Sequence, residues 1–323
     1  MEKTKQVYFN EFAETVKKDI ISYLPSEYAD AKAEIQKVMK NNDTVLNGLV
    51  IRKEDNGISP TIYLEDYFKS YKDGTKMEDI LAQLADVYLH AQTSAFNSEK
   101  IVAMVMDYSA VKDHLLPRLI SRAFNEKRLE GMPYTSVNGD LAVTYHIQLE
   151  NTEEGSASIA ITNEIFKNYN VSIEELHETA LKNMKVLTPA CFCPISQVLC
   201  GIMGIPEEEM AIMVKPEEES MFVLSCEQKT FGAAWLLDME QMKKCKEQIG
   251  DFVILPSSVH ETILVKLRDL KEKENMVEEL NTMVREVNAT QVAPNEILSD
   301  HIYRIDWEKE ALVTVDENFK AGA

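Results

Sequence analysis

The segment FVILPSSVHETILV, residues 252–265, places two serines, a histidine and a glutamate between two apolar runs. A hydroxyl beside an imidazole and a carboxylate is the chemistry of a serine hydrolase, in which the base removes the hydroxyl proton. Two features oppose a hydrolase of the common kind. Ser257 and Ser258 lack the flanking glycines of a Gly-x-Ser-x-Gly elbow. In addition, Ser258, His260 and Glu261 are too close in sequence to form a triad by themselves.

The same segment also has a structural interpretation. Pro256 ends a strand over Val253–Leu255, Ser258 and Glu261 cap a single helical turn, and Thr262–Leu267 forms the next strand. Every polar residue then has a role in stopping or starting secondary structure. The sequence favours this structural turn, and the hydrolase site is the alternative.

Three of the five cysteines lie close together in CFCPISQVLC, as Cys191, Cys193 and Cys200. The odd number of cysteines argues against a disulfide framework. The spacing is a weak match to the paired Cys-x-x-Cys knuckles of zinc sites, and nothing in the sequence places His177, a candidate fourth ligand, near the cysteines. A thiol site around Cys191 and Cys193 is a second alternative, whereas Cys245 follows the apolar spacing of a packed core residue.

The histidines and glycines add no recognisable motif. No His-x-x-x-His or His-Glu-x-x-His spacing occurs, and no Gly-x-Gly-x-x-Gly or Gly-x-x-x-x-Gly-Lys-Ser/Thr loop occurs. His146 lies in a strand pattern and is predicted to be structural. The sequence therefore predicts no cofactor, no metal ligand and no catalytic residue.

One locally basic stretch, LPRLISRAFNEKR, stands out in an acidic chain. Arg118 and Arg122 are four residues apart and are predicted to share a helix face, with Lys127 and Arg128 close behind. Such a face can hold an anionic ligand or an acidic partner, or it can pair with neighbouring carboxylates. Both interpretations stay open at this point.

The composition excludes some classes of partner. The 323 residues include 54 acidic and 34 basic side chains, for a net charge of −20, and this charge repels nucleic-acid backbones. No run approaches the roughly 20 apolar residues of a membrane span. The charged start MEKTKQVYFNEFAETVKKDI does not resemble a signal peptide but has the apolar spacing of a helix, through Phe9, Phe12, Ala13, Val16 and Ile20. We therefore expect a cytoplasmic protein.

Two segments of the chain resemble each other, residues 45–89 and residues 141–184. Each reads as strand, turn, strand, a Phe-Lys-x-Tyr sequence and then a helix that opens with a capping box, at Thr75 and at Ser172. Residues 221–255 form a candidate third, trimmed copy in which Asp238 and Gln241 make the cap pair. The pattern predicts an α+β fold of repeated strand-strand-helix units, with antiparallel sheets covered by helices.

Other elements follow from spacing and composition. Helices are predicted at residues 26–40, at 109–125 with a break at Pro117, and from Met276 onward, and a closing hairpin is predicted in HIYRIDWEKEALVTV. The polar residues 92–99 mark a boundary. We expect an N-terminal α+β unit over residues 1–95, with two helices before its strand-strand-helix unit, and a larger α+β region over 96–323.

Four segments together resemble a bacterial family named domain of unknown function 5688: KNYNVSIEELHETALKNM, FVLSCEQKTFGAAWLL, FVILPSSVHETILV and ILSDHIYRID. More distantly, the order of capped helix, GAAWLLDME, strand and Pro-led turn is similar to uncharacterised protein family 0354. The resemblance implies a bacterial, intracellular α+β protein, and it implies no activity, cofactor or catalytic residue.

The favoured function is therefore a non-catalytic intracellular binding or regulatory protein with an unknown protein or small-molecule partner. The alternative is an enzyme with a non-standard site, either a hydrolase around Ser258, His260 and Glu261 or a thiol site around Cys191 and Cys193.

Overall fold

The computed structural model describes residues 2–53, 59–93, 98–152, 155–206, 209–210, 214–215, 218–270, 275–316 and 319. The chain divides into two compact units. Unit 1 comprises Met1–Lys40 and Thr44–Met106, and unit 2 comprises Asn41–Asp43 and Asp107–Ala323. The boundary predicted at residue 95 falls within residues 94–97, outside the described part of the chain.

Unit 1 is built on a three-stranded antiparallel sheet of order β1-β2-β3. Its strands are β1 (Lys32–Met39), β2 (Val45–Arg52) and β3 (Thr61–Tyr63), and its helices are α1 (Glu2–Asp19), α2 (Glu65–Lys72), α3 (Met77–Thr93) and α4 (Ser98–Val105). The predicted first helix is confirmed. Its apolar stripe, with Phe12 and Val16, shares one buried core with Leu49 of β2 and Leu84 of α3.

The helix predicted at residues 26–40 is wrong. This segment forms a 3₁₀ turn at Ser26–Tyr28 and then strand β1. Strand β1 pairs with β2 along its whole length, from Lys32 opposite Arg52 to Met39 opposite Val45. The residues of β1 favour a helix by intrinsic propensity, and the pairing with β2, a tertiary contact, outweighs that preference.

The first sheet of unit 2 is arranged around the long strand β6 (Leu141–Thr152). Strand β4 (Leu115–Ser121) pairs with one edge of β6, and β5 (Tyr134–Val137) and β7 (Gly155–Ala160) pair with the other edge. Helix α8 (Ile173–Leu187) packs against β4. The shorter helices of this part are α5 (Tyr108–Val111), α6 (Glu126–Glu130) and α7 (Asn163–Tyr169).

The helix predicted at residues 109–125 is also wrong. After the single turn of α5, the chain forms a 3₁₀ turn at Lys112–His114, strand β4 and a second 3₁₀ turn at Ala123–Asn125. Pro117 lies within β4, which is the edge strand of its sheet. Proline is tolerated there because an edge strand has one side without ladder hydrogen bonds.

The second sheet of unit 2 has six strands in the order β13-β12-β10-β11-β9-β8. They are β8 (Ala190–Pro194), β9 (Met221–Cys226), β10 (Phe252–Leu255), β11 (Thr262–Lys266), β12 (Tyr303–Asp306) and β13 (Ala311–Thr314). The helices of this part are α9 (Ile195–Met203), α10 (Met239–Ile249) and α11 (Met276–Thr290). The predicted late helix and closing hairpin are therefore confirmed, as α11 and as the pair β12 and β13.

The two segments of the predicted repeat have the same order of elements. The first contains β2, β3, α2 and α3, and the second contains β6, β7, α7 and α8. The third copy is wrong, because a 3₁₀ helix at Gly232–Leu237 follows β9 where the pattern requires a strand. A duplication of the first two segments stays a prediction.

Two of the three predicted helix caps are confirmed. The side chains of Ser172 and Asp238 accept the backbone N–H three residues later, at 3.2 and 2.7 Å. The third is misplaced by one residue, since α3 begins at Met77 and the residue before it is Lys76, not Thr75.

The predicted α+β class is confirmed, because helices pack on sheets whose described strand pairs are all antiparallel. Among the described residues, the helices are too short or too polar to cross a bilayer.

Candidate functional site

The polar residues of LPSSVHE form a turn between two paired strands. Strand β10 ends at Leu255, and β11 begins at Thr262 and pairs with β10 in antiparallel register. The hydroxyl of Ser258 accepts the backbone N–H of His260 at 3.0 Å, and the Ser258 N–H donates to the carbonyl of Glu261 at 3.0 Å. The predicted single helical turn is wrong, because residues 256–261 form a bend without helical structure. The hydroxyl stabilises this bend.

The imidazole of His260 is engaged by other parts of unit 2. Its Nδ1 accepts the backbone N–H of Phe231 at 3.1 Å, and its Nε2 lies 3.6 Å from Oε1 of Glu296. In the described part of the chain, neither ring nitrogen bonds a hydroxyl or a thiol. A general base needs a free nitrogen within reach of the nucleophile, so this geometry gives no support to the hydrolase alternative.

The predicted thiol cluster does come together. Cys191 and Cys193 lie two residues apart on strand β8, so they project from the same face of the strand. They line a cavity of about 630 Å³ with Cys200 of α9. Burial, followed by the nearby Cys191, raises the pKa of the Cys193 thiol to about 11. Since the thiolate is the reactive form, Cys193 is a poor nucleophile at neutral pH. Within the described residues, no group of three His, Cys, Asp or Glu side chains has the arrangement of a metal site.

The basic stretch has a different geometry from the predicted one. Arg118 lies on strand β4 and Arg122 follows the strand, so the shared helix face is wrong. Arg122 is exposed and donates to the carbonyl of Gly139 at 3.4 Å. Arg128 instead lies close enough to Arg118 for its charge to affect the Arg118 side chain.

Arg118 lines a second cavity, of about 40 Å³. Its floor is one face of the first sheet of unit 2, which contains β4 and β6. Leu116 and Arg118 come from β4, and His146 and Gln148 come from β6. The register places Leu116 opposite His146, and Gln148 opposite Ser158 of β7. Because side chains alternate along a strand, these positions project from the same face of the sheet.

The roof of the cavity is the segment that follows strand β9, from Gln228 to Trp235. Lys229 and Phe231 have φ values of 53° and 57°, in the left-handed region that bulky residues rarely adopt. In this conformation the ring of Phe231 contacts Arg118, whose guanidinium lies 3.5 Å from the centre of the ring. Strained residues of this kind cluster at ligand-binding positions.

Arg118 has no acidic partner in the described part of the chain. Its Nη2 donates to the hydroxyl of Ser158 at 2.5 Å, and one face of the guanidinium rests on Phe231. Burial, with a smaller effect of Arg128, lowers the pKa of Arg118 to about 9. That value is above neutrality, so the cavity contains a positive charge that no described carboxylate neutralises.

His146 is buried beside this charge and is 4% exposed. Burial is the main cause that lowers its pKa well below the usual range, and the charges of Arg118 and Arg128 lower it further. The imidazole is therefore neutral at pH 7. Arg128 itself lies at the start of α6, where the carboxylate of Asp43 accepts the backbone N–H groups of Lys127 and Arg128, each at 3.0 Å.

Sequence reasoning identified Arg118 but not the residues around it. A signal was present in LAVTYHIQL, where Thr144, His146 and Gln148 alternate with Val143, Tyr145 and Ile147. A polar stripe on one face of a strand usually faces solvent. Here Thr144 and His146 are buried, so the polar face of β6 lies inside the protein.

The model of the family of unknown function DUF5688 matches residues 9–306, in agreement with the resemblance of the four segments. No curated protein and no solved structure matches the chain. The more distant similarity to family 0354 stays a prediction.

Proposed function

The chain belongs to the family of unknown function DUF5688, and from its geometry we propose that it is a non-catalytic binding protein that holds a small anion at Arg118. The observation that carries this proposal is a charged guanidinium in a cavity without a described carboxylate partner. Arg118 is half-buried, and a charge that loses part of its hydration is costly unless it is paired. A bound anion supplies that missing partner.

The overall charge of the protein makes this cavity unusual. With a net charge of −20, carboxylates are abundant in the chain, yet none of the described residues that line the cavity is acidic. An arginine paired with a neighbouring carboxylate would be the ordinary outcome in so acidic a protein. Among the described residues Arg118 has no acidic partner, and this favours the other alternative, an anionic ligand.

The residues that a hydrolase or a thiol site would use are engaged or protonated in this structure, which is consistent with a binding protein. The Ser258 hydroxyl and the His260 Nδ1 each accept a backbone N–H, and the Cys193 thiol is protonated at neutral pH. The sequence left open a protein partner or a small-molecule partner, and we propose a small molecule. A cytoplasmic location, a bacterial source and the absence of nucleic-acid binding stay predictions.

The test is thermal unfolding of the full chain in a panel of small anions, including acetate, phosphate and sulfate, at constant ionic strength with chloride as the reference. A ligand at 100 times its Kd raises the free energy of unfolding by about 2.7 kcal/mol. We expect at least one anion to raise Tm of the wild type and to have no effect on Arg118→Gln.

Arg122→Gln is the matched control, because Arg122 is exposed and does not line the cavity. It should respond to the anion as the wild type does. The proposal is overturned if no anion of the panel raises Tm, or if Arg118→Gln responds as strongly as Arg122→Gln.

A further inference from the structure

The lining of the Arg118 cavity contains one formal charge among its described residues. Arg118 is positive, and His146 is neutral because it is buried beside Arg118 and Arg128. A ligand with a single negative charge neutralises this lining. A phosphate dianion leaves a second negative charge for which the described lining has no formal counter-charge, which is unfavourable.

The guanidinium offers a planar set of donors. Phe231 covers one face at 3.5 Å, and Nη2 already donates to Ser158. The remaining N–H groups lie in the plane of the guanidinium, where a carboxylate accepts two of them side by side. A carboxylate and two oxygens of a phosphate both fit this approach, so the charge of the lining and the apolar part of the wall decide between them.

The rest of the wall has an apolar part and a polar part. The apolar part consists of Leu116, Pro117, Met184, Ala234 and the indole of Trp235, and the polar residues are Gln148, Thr188, Gln228 and Thr230. The Trp235 Nε1 donates to the carbonyl of Thr188 at 2.9 Å, and the Gln228 Nε2 donates to the carbonyl of Leu187 at 3.1 Å. These two donors are already used, so they are not available to a second acidic group of a ligand, and the apolar part of the wall is free to contact an alkyl chain.

The cavity is also small. Its volume of about 40 Å³ corresponds to roughly three water-sized positions. This space matches a carboxylate with a short alkyl chain.

We infer that the ligand of the Arg118 cavity is a short-chain monocarboxylate of about two to four carbons. The inference rests on the proposed function and adds the chemical class of the ligand. The carboxylate lies in the plane of the Arg118 guanidinium, and the alkyl chain contacts the wall formed by Leu116, Met184 and Trp235.

Isothermal titration calorimetry of the full chain with acetate, propionate, butyrate, hexanoate and inorganic phosphate tests this inference. Each buried methylene should tighten binding roughly fourfold. We expect affinity to rise from acetate to propionate, to fall again at hexanoate, and to be at least tenfold weaker for phosphate than for propionate.

Three variants define the site. Arg118→Gln should abolish propionate binding, and Arg122→Gln should leave it unchanged. Arg118→Lys keeps the charge without the planar donors, so it should bind propionate about tenfold more weakly. Circular dichroism of each variant establishes that it is folded, and Arg118→Lys supplies the test if Arg118→Gln does not fold.

The outcomes separate the inference from the proposed function. If phosphate or sulfate binds in an Arg118-dependent manner and more tightly than the carboxylates, the ligand class is wrong and anion binding stands. Equal affinity for acetate, propionate and hexanoate also overturns the ligand class, because the wall then makes no contribution. If none of these anions binds in an Arg118-dependent manner, both the class and the function fail.

Discussion

The Nδ1 of His260 accepts the backbone N–H of Phe231 at 3.1 Å, and the two rings lie 5.0 Å apart. Phe231 in turn covers the guanidinium of Arg118. The histidine of the LPSSVHE turn is thus connected to the candidate anion site through one residue. Its role in this geometry is to position Phe231, which needs support because its φ is positive.

Because His260 positions Phe231, replacing His260 should weaken ligand binding indirectly. In His260→Leu the Phe231 N–H loses its acceptor, which costs about 1–3 kcal/mol of stability when that group stays unpaired. We expect propionate to bind about three- to tenfold more weakly, as measured by calorimetry on the folded variant.

His260→Asn provides the rescue, because its side-chain carbonyl can accept the same N–H. Propionate binding by this variant should lie close to that of the wild type. Equal binding by His260→Leu and the wild type would show that His260 has no part in positioning Phe231.

Ser258→Ala should lower stability by about 1 kcal/mol, because the Ser258 hydroxyl accepts the His260 N–H at 3.0 Å within the bend. Ser257→Ala is the matched control. The Ser257 hydroxyl makes only a long contact of 3.5 Å with Oε1 of Glu261, so its removal should have a smaller effect. Urea unfolding measures both, and hydrolytic activity lost in Ser258→Ala without a loss of stability would favour the hydrolase.

Gly232 permits the close approach of the cavity roof to strand β9. A Cβ at this position would lie 2.5 Å from the backbone nitrogen of Cys226 and 2.6 Å from the Cα of Ser225. Gly232→Ala should therefore cost about 1–3 kcal/mol through overpacking.

Gly201 is the control for this substitution and should change stability in the opposite direction. It lies within α9, and a Cβ there meets nothing within 4 Å. Gly201→Ala should stabilise the protein by about 0.5–1 kcal/mol. Urea unfolding measures both variants. If Gly232→Ala and Gly201→Ala both unfold at the same urea concentration as the wild type, the packing at Gly232 is looser than the distances indicate.

The neutral state of His146 should make stability depend on pH. In the unfolded chain its pKa is about 6.5, whereas burial holds the folded pKa well below that value. Below pH 6.5 the unfolded state therefore binds more protons than the folded state. This residue then lowers the free energy of unfolding by up to about 1.4 kcal/mol per pH unit as the pH falls toward the folded pKa.

Urea unfolding at pH 7.5, 6.5 and 5.5 measures this effect. His146→Gln should reduce the loss of stability between the two lower pH values, whereas His114→Gln, at an exposed position, should leave it unchanged. Parallel curves for the wild type and His146→Gln would contradict a neutral buried imidazole.

Elements with strong local signals were predictable. The first helix, the late helix, the cap at Ser172 and the hairpin of β12 and β13 each depend on contacts or spacings within a short segment. Residues 26–40 and 109–125 were not predictable in this way. Their helix-like composition gives way to pairing of β1 with β2 and of β4 with β6, which brings together residues distant in sequence.

The candidate site shows the same division. The basic stretch containing Arg118 and the unusual LPSSVHE segment both stood out in the sequence, but as unrelated features. The structure connects them through Phe231, which belonged to neither motif. No spacing rule relates positions 118, 231 and 260.

The sequence by itself determined the charge of the protein, its α+β class and the role of LPSSVHE as a turn, because composition, periodicity and turn chemistry act locally along the chain. Only the tertiary structure decided that Arg118 has no acidic partner among the described residues, that His146 is buried beside it and that Phe231 covers it. The physical reason is that the cost of a buried charge depends on every group around it in space, and strand register sets those neighbours.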